Sequence, residues 1–223
     1  MTTDDARQLL SPLGAKRFTL SFWQRELPAV VQLAILLAVE RRRGDESFWA
    51  PYIRSLPDYV PCAWAWGDQE LGGALAALGP WAAGWEPAVA SARRGVRQRA
   101  EEAVKRYGRH LPGGVAIDDV VWAMGQVLSR SFGRDPDVGL APFIDLCNHR
   151  HGAPRPAGFV DERYGAPYAY VESSAFGRPR PLAAGDEVYV SYAADGGDPL
   201  AAFLNLGFVP PELVPQQGQA LSP

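Results

Sequence analysis

Ala141-Pro-Phe-Ile-Asp-Leu-Cys-Asn-His149, running on through Arg150 and His151, decides how this chain reads. It lies just past the point where a helical first part gives way to short extended runs, and it is the chain's most polar cluster. Taken alone, Asp145–His151 supports three chemistries. Cys147, His149 and His151 alternate, so on a strand they share a face and suit a metal ion. Cys147 and His149 form a second possible set, a thiol with a base, although no orienting partner for the base is evident. In the third, Asn148 and His149 supply hydrogen bonds in a loop.

Upstream of this segment the periodicity is helical. Residues 28–43 read as a buried helix: Pro28 suits a first turn, Val30–Val39 is almost entirely apolar, and Gly44 follows. Arg41–Arg43 lie where cations favour a helix C-terminus. A short helix follows within Ser47–Pro57, and another runs from a cap at Asp68 to Leu78. Pro87–Tyr107 is a longer, basic helix closed by Gly108, and Asp118 caps a helix over Asp119–Ser131.

Beyond Gly133 short strand-like runs alternate with Gly/Pro turns: Leu140–Ile144, Pro167–Glu172 and Glu187–Tyr192. Glu187-Val-Tyr-Val-Ser-Tyr192 alternates with period two after the turn signal Ala184-Gly-Asp186. A last helix spans Asp198 to Asn205. Three regions are expected: helical residues 1–134, a mixed core at 135–210, and a polar, disordered tail at 211–223. The helical first part followed by short strand-like runs makes the expected fold class α+β.

Composition narrows the function. The net charge of −3 argues against strong nonspecific nucleic-acid binding. Residues 1–134 hold 17 Lys+Arg against 14 Asp+Glu, whereas residues 135–223 hold 5 against 11. The acidic second part suits a basic substrate. No apolar run approaches the ~20 residues that span a bilayer, so no membrane partner is expected. Two separated cysteines give no disulfide framework and fit a reducing compartment: cytoplasm, nucleus or chloroplast. The acidic start Met1-Thr-Thr-Asp-Asp5 reads as neither a signal nor a transit peptide.

Four segments occur in a telling order: Val127-Leu-Ser-Arg-Ser-Phe132, Ala141–His149, Gly185-Asp-Glu-Val-Tyr-Val-Ser-Tyr192 and Leu204-Asn-Leu-Gly-Phe-Val-Pro210. Together they resemble the C-terminal part of SET-domain protein-lysine methyltransferases of the RuBisCO large-subunit methyltransferase class. Leu33–Pro57 looks like the helical insert that these proteins carry. The resemblance implies a helical insert followed by small, mostly antiparallel β-sheets, S-adenosylmethionine as cofactor, a protein substrate presenting a lysine, and no metal. It also implies roles. Arg130, Asp145, Asn148, His149 and Phe208 match residues around the cofactor. Tyr192 matches the catalytic tyrosine where the methyl group moves.

The chemistry accounts for these residue types. Methyl transfer to an amine is an in-line displacement that needs alignment and exclusion of water. An apolar channel also favours the neutral, nucleophilic form of lysine. The sequence departs from the family in several places. No Gly-x-Gly segment precedes residue 28, Leu206 stands where a tyrosine is common, and Arg150–Pro156 replaces a small residue. The resemblance therefore places the start of the chain inside the insert, with a noncatalytic SET-like interaction module as the alternative function.

Overall fold

The computed structural model describes residues 1–2, 27–134, 137–153, 174–175, 178–179, 182–192 and 197–215. Among these the helices are α1 (Ala29–Arg43), α2 (Ala50–Ile53), α3 (Asp68–Leu78), α4 (Glu86–Tyr107), α5 (Ile117–Arg130) and α6 (Pro199–Leu206). The strands are β1 (Phe132–Arg134), β2 (Asp137–Gly139), β3 (Asn148–His149), β4 (Ser174–Ala175), β5 (Arg178–Pro179) and β6 (Tyr189–Val190). β1–β2 and β4–β5 pair antiparallel, while β3–β6 pairs parallel. The architecture is α+β with small sheets, as the sequence reads. No helix among the described residues is long and apolar enough to cross a membrane.

The chain forms two compact units. One comprises Met1–Pro61 and Ser91–Pro142, the other Cys62–Ala90 and Phe143–Pro223. Each unit is assembled from two separated segments.

The first unit is built on α1. Its residues from Val31 to Glu40 are all buried, as expected for a helix apolar on every side. α1 packs along α5 and against β2. Buried Glu40 is met by the Ser47 hydroxyl at 2.5 Å and by Arg43 at 3.0 Å, so its charge is paired within the core. On α5, buried Gln126 and Trp122 donate to the carbonyl of Pro57, and Gln126 also donates to that of Tyr59. These bonds hold the 57–60 turn against the helix. Gly125 leaves the space that Val60 occupies there.

The start of α5 corrects the sequence reading. The helix begins at Ile117, and Asp119, not Asp118, serves its N-terminus. Asp119 Oδ2 accepts the Ala116 N–H at 2.8 Å and the Arg42 guanidinium at 2.6 Å. Asp118 points outward to Arg97 at 3.3 Å. A carboxylate two positions inside the helix reaches the exposed N–H, which Asp118 leaves. Beyond Arg130, β1 and β2 form a hairpin, and Thr2 bridges to Gly139 on its outer edge.

The second unit centres on Phe203 of α6, which is fully buried. Trp66 and Trp85 pack on it at ring-centroid distances of 5.7 and 5.5 Å, and Trp81 meets Trp85 edge-on at 5.1 Å. The Cys62 thiol donates to the carbonyl of Asn205 at 3.1 Å, tying this aromatic cluster to the end of α6. α6 itself is delimited as its sequence suggests. The Asp198 side chain accepts from the Leu200 N–H, Pro199 occupies the first turn, and Gly207 closes the helix in the left-handed conformation at φ 77°.

Three further expectations meet the structure differently. Leu140–Ile144 is not a strand. Pro142 offers no N–H to a ladder, and Phe143 takes a left-handed φ of 73°. The chain then turns through a 3₁₀ segment at Ile144–Leu146. Glu187–Tyr192 contributes ladder pairing only at Tyr189–Val190. The tail beginning at Pro211 opens with a 3₁₀ turn, Pro211–Leu213, whose Glu212 is engaged by His149. Pro167–Glu172, and residues 3–26 where the sequence offers no clear strand pair, lie outside the described residues.

Candidate functional site

The parallel pairing of β3 with β6 sorts the candidate residues onto two faces. Asn148 lies opposite Tyr189, and His149 opposite Val190. Successive side chains of an extended segment point to opposite faces. The Asn-His pair is therefore divided: Asn148 shares one side with Tyr189 and Glu187, and His149 shares the other with Val190 and Tyr192.

The Asn148 side is exposed and polar. Its amide donates to one Glu187 oxygen at 2.6 Å, and the Tyr189 hydroxyl donates to the other at 2.6 Å. The Arg150 guanidinium stacks 4.2 Å from the Tyr189 ring centroid. The hydrogen bond from Tyr189, then that from Asn148, holds the Glu187 carboxyl below its ordinary value. Desolvation works against these bonds, and nearby Arg150 adds a lesser pull in their favour. The same contact with Glu187 pushes the Tyr189 hydroxyl up.

The His149 side is aromatic and enclosed. The His149 side chain is 6% exposed. Its ring centroid lies 5.4 Å from that of Tyr192 and 6.2 Å from that of Phe208, and Tyr192 and Phe208 are themselves 6.2 Å apart. Both imidazole nitrogens are engaged. Nδ1 accepts the backbone N–H of Tyr192 at 3.0 Å, and Nε2 faces the Glu212 carboxylate at 3.2 Å. His151 Nδ1 approaches the same carboxylate at 3.6 Å. Burial pushes the Glu212 carboxyl up. Its own backbone amide and the two histidines outweigh that and hold it below the ordinary value.

Tyr192 is held at both ends. Its N–H goes to His149, and its hydroxyl donates to the carbonyl of Cys147. Phe208 follows the left-handed Gly207 and keeps part of its ring exposed, at 39%. Asp145 is buried in the 3₁₀ turn that leads into β3. Arg130 belongs to the first unit, at the last turn of α5, where its Nε donates to Gln126 at 3.3 Å.

The side chains of Asp145–His151 turn to different partners. His149 and His151 turn to Glu212, whereas the Cys147 thiol donates to the Phe143 carbonyl. The thiol is also pushed up by burial first, then by Asp145 and Glu187, which disfavours a nucleophilic thiolate.

Sequence reasoning missed Glu212 and Glu187. Glu187 was legible in part, because period two puts it on the side of Tyr189. Glu212 carried no such signal. It sits in a Pro-rich stretch with tail-like composition, and only the fold brings it back across 63 residues to His149.

No family model matches the chain. Two curated proteins are similar to it, both named ribulose-1,5-bisphosphate carboxylase/oxygenase large subunit N-methyltransferase, chloroplastic. The one from Nicotiana tabacum is 27% identical over 193 residues, covering 81% of this chain and 37% of its own length. The one from Pisum sativum is 26% identical over 189 residues, covering 79% and 36%. The chain thus spans little more than a third of these relatives. Among solved structures, the SET domain of LSMT bound to lysine and AdoHcy superposes with a TM-score of 0.68 at 21% identity, over 94% of this chain and 44% of that one. Rubisco LSMT bound to AdoMet gives a TM-score of 0.66 at 22% identity, with the same coverage. The fold is that of the LSMT SET domain, and the resemblance read from the four sequence segments is borne out.

Proposed function

We propose that this chain acts as an S-adenosylmethionine-dependent protein-lysine N-methyltransferase of the SET type, with Tyr192 as its catalytic residue. The observation that carries the reading is the double anchoring of Tyr192, by His149 at its amide and by the Cys147 carbonyl at its hydroxyl, beside the exposed ring of Phe208. The similar structures, whose names include AdoMet and lysine, give the reading its chemical class.

The side chains present suit such a cofactor. A planar base needs an aromatic surface, which Phe208 offers. We assign Asn148, His149, Phe208 and Asp145 to holding the cofactor; Arg130 keeps that assignment on the sequence match alone. When bound, S-adenosylmethionine supplies a methyl group made electrophilic by its sulfonium sulfur.

The chain's own residues then have distinct tasks. The Tyr192 hydroxyl gives its proton to the Cys147 carbonyl, so toward an incoming amine its oxygen acts as an acceptor. That orients the amine lone pair for in-line attack. The rings of His149, Tyr192 and Phe208 exclude water and favour the neutral amine over the ammonium. The partner is a protein presenting a lysine. The relatives' names make the RuBisCO large subunit the first substrate to try, and the chloroplast the first compartment to examine.

The test is transfer of labelled methyl from S-adenosylmethionine to RuBisCO large subunit and to a panel of lysine-bearing proteins. Tyr192→Phe is expected to lower the rate by roughly 10²-fold, the scale set by losing alignment of a reacting group. Equal rates for the variant and the unmodified chain would remove Tyr192 from catalysis.

A further inference from the structure

The pair His149–Tyr192 has a third member that the four matching segments do not include. Glu212 lies on the 3₁₀ turn Pro211–Leu213, 16% exposed, and its carboxylate meets Nε2 of His149 at 3.2 Å. A neutral imidazole has one N–H and one lone-pair nitrogen. Because Nδ1 accepts the Tyr192 N–H, the neutral ring must carry its proton on Nε2, and that proton points to Glu212. The order is therefore carboxylate, imidazole, tyrosine backbone. Turning the ring over would present carbon to the Tyr192 amide and forfeit both bonds in an enclosed aromatic setting, where unmade hydrogen bonds are costly.

We propose that Glu212 is a positioning residue for Tyr192. It fixes the orientation of the His149 ring, and through it the strand end that carries the Tyr192 hydroxyl. His151, 3.6 Å from the same carboxylate, helps keep Glu212 ionised in this place. The proposal rests on reading Tyr192 as catalytic only for its effect on rate. Its structural half, that Glu212 protects the Tyr192 amide, stands independently of any activity.

The experiment compares Glu212→Leu and Glu212→Gln in the full chain. Glutamine keeps an acceptor for the Nε2 proton, and leucine does not. Two quantities are read: hydrogen exchange at the Tyr192 amide, and kcat and KM for methyl transfer. In Glu212→Leu the Tyr192 amide is expected to exchange about tenfold faster, the scale of one weakened hydrogen bond. kcat should fall about tenfold, with KM for S-adenosylmethionine within about twofold. Glu212→Gln should recover most of both. Unchanged Tyr192 exchange in a folded Glu212→Leu protein would overturn the proposal, as would equal losses in both variants. If the unmodified chain transfers no methyl group, the functional reading fails, and the exchange data alone decide the role of Glu212.

Discussion

The backbone N–H of Tyr192 donates to Nδ1 of His149 across 3.0 Å, although 43 residues separate the two in sequence. This bond joins the end of one short strand to the middle of the chain's most polar segment. It explains why Asn148 and His149, though adjacent, do different work. His149 organises the enclosed aromatic side, and Asn148 presents its amide on the exposed side with Glu187.

Acid should loosen the Asn148 side. Glu187 faces Tyr189, Asn148 and Arg150, and its carboxyl is held below its ordinary value of 4.5 in the folded chain. A depressed carboxyl contributes stability that is present above its unfolded-state value and is lost as pH falls through the lower folded-state value. The Glu187 contacts should therefore persist at pH 4.5 and fail only in stronger acid. The side-chain amide resonances of Asn148, followed down a pH titration, check this. Loss of the Asn148 contact already at mildly acidic pH would contradict the assignment.

The N-terminus of α5 offers a sharp comparison between neighbours. Asp119 closes the helix start and pairs with Arg42, whereas Asp118 is an exposed partner of Arg97. Asp119→Ala should cost about 1–2 kcal/mol, the usual price of a lost helix cap. Asp118→Ala should cost less than about 0.5 kcal/mol, since exposed ion pairs contribute little. Urea unfolding of the two variants measures the difference. A larger loss for Asp118→Ala would reverse the assigned cap.

Gly125 tests the packing of the 57–60 turn on α5. A Cβ there would run into the side chain of Val60. Alanine gains about 1 kcal/mol of helix propensity over glycine. Overpacking of a close contact costs about 1–3 kcal/mol. Gly125→Ala should therefore be neutral to destabilising despite the better helix former, and Gly125→Ala combined with Val60→Ala should be relieved. Thermal unfolding of the single and double variants decides. Clear stabilisation by Gly125→Ala alone would show that Val60 does not press on the helix.

Much of this fold is legible in the sequence, and the exceptions have physical causes. α1, α4 and α6 are delimited by Pro28, Gly44, Gly108, Asp198 and Gly207, residues whose backbone preferences act locally. The strands were harder to place, because pairs of two or three residues leave almost no periodicity to read. Leu140–Ile144 has strand-like composition, but Pro142 and the left-handed Phe143 break it. At the candidate site, the order of Asn148, His149, Tyr192 and Phe208 was visible as motif. Their division onto two faces was not, since it follows from the parallel register of β3 and β6. Glu212 was invisible, because only tertiary structure joins it to His149.

The central claim, that this chain builds a cofactor-binding SET site, is tested most directly by calorimetric titration of S-adenosylmethionine into the purified 223-residue protein, with Asn148→Ala as the control. Saturable binding by the unmodified chain and its loss in the control are expected. A folded chain that takes up no S-adenosylmethionine would contradict the claim and leave a noncatalytic SET-like interaction module as the reading of this fold.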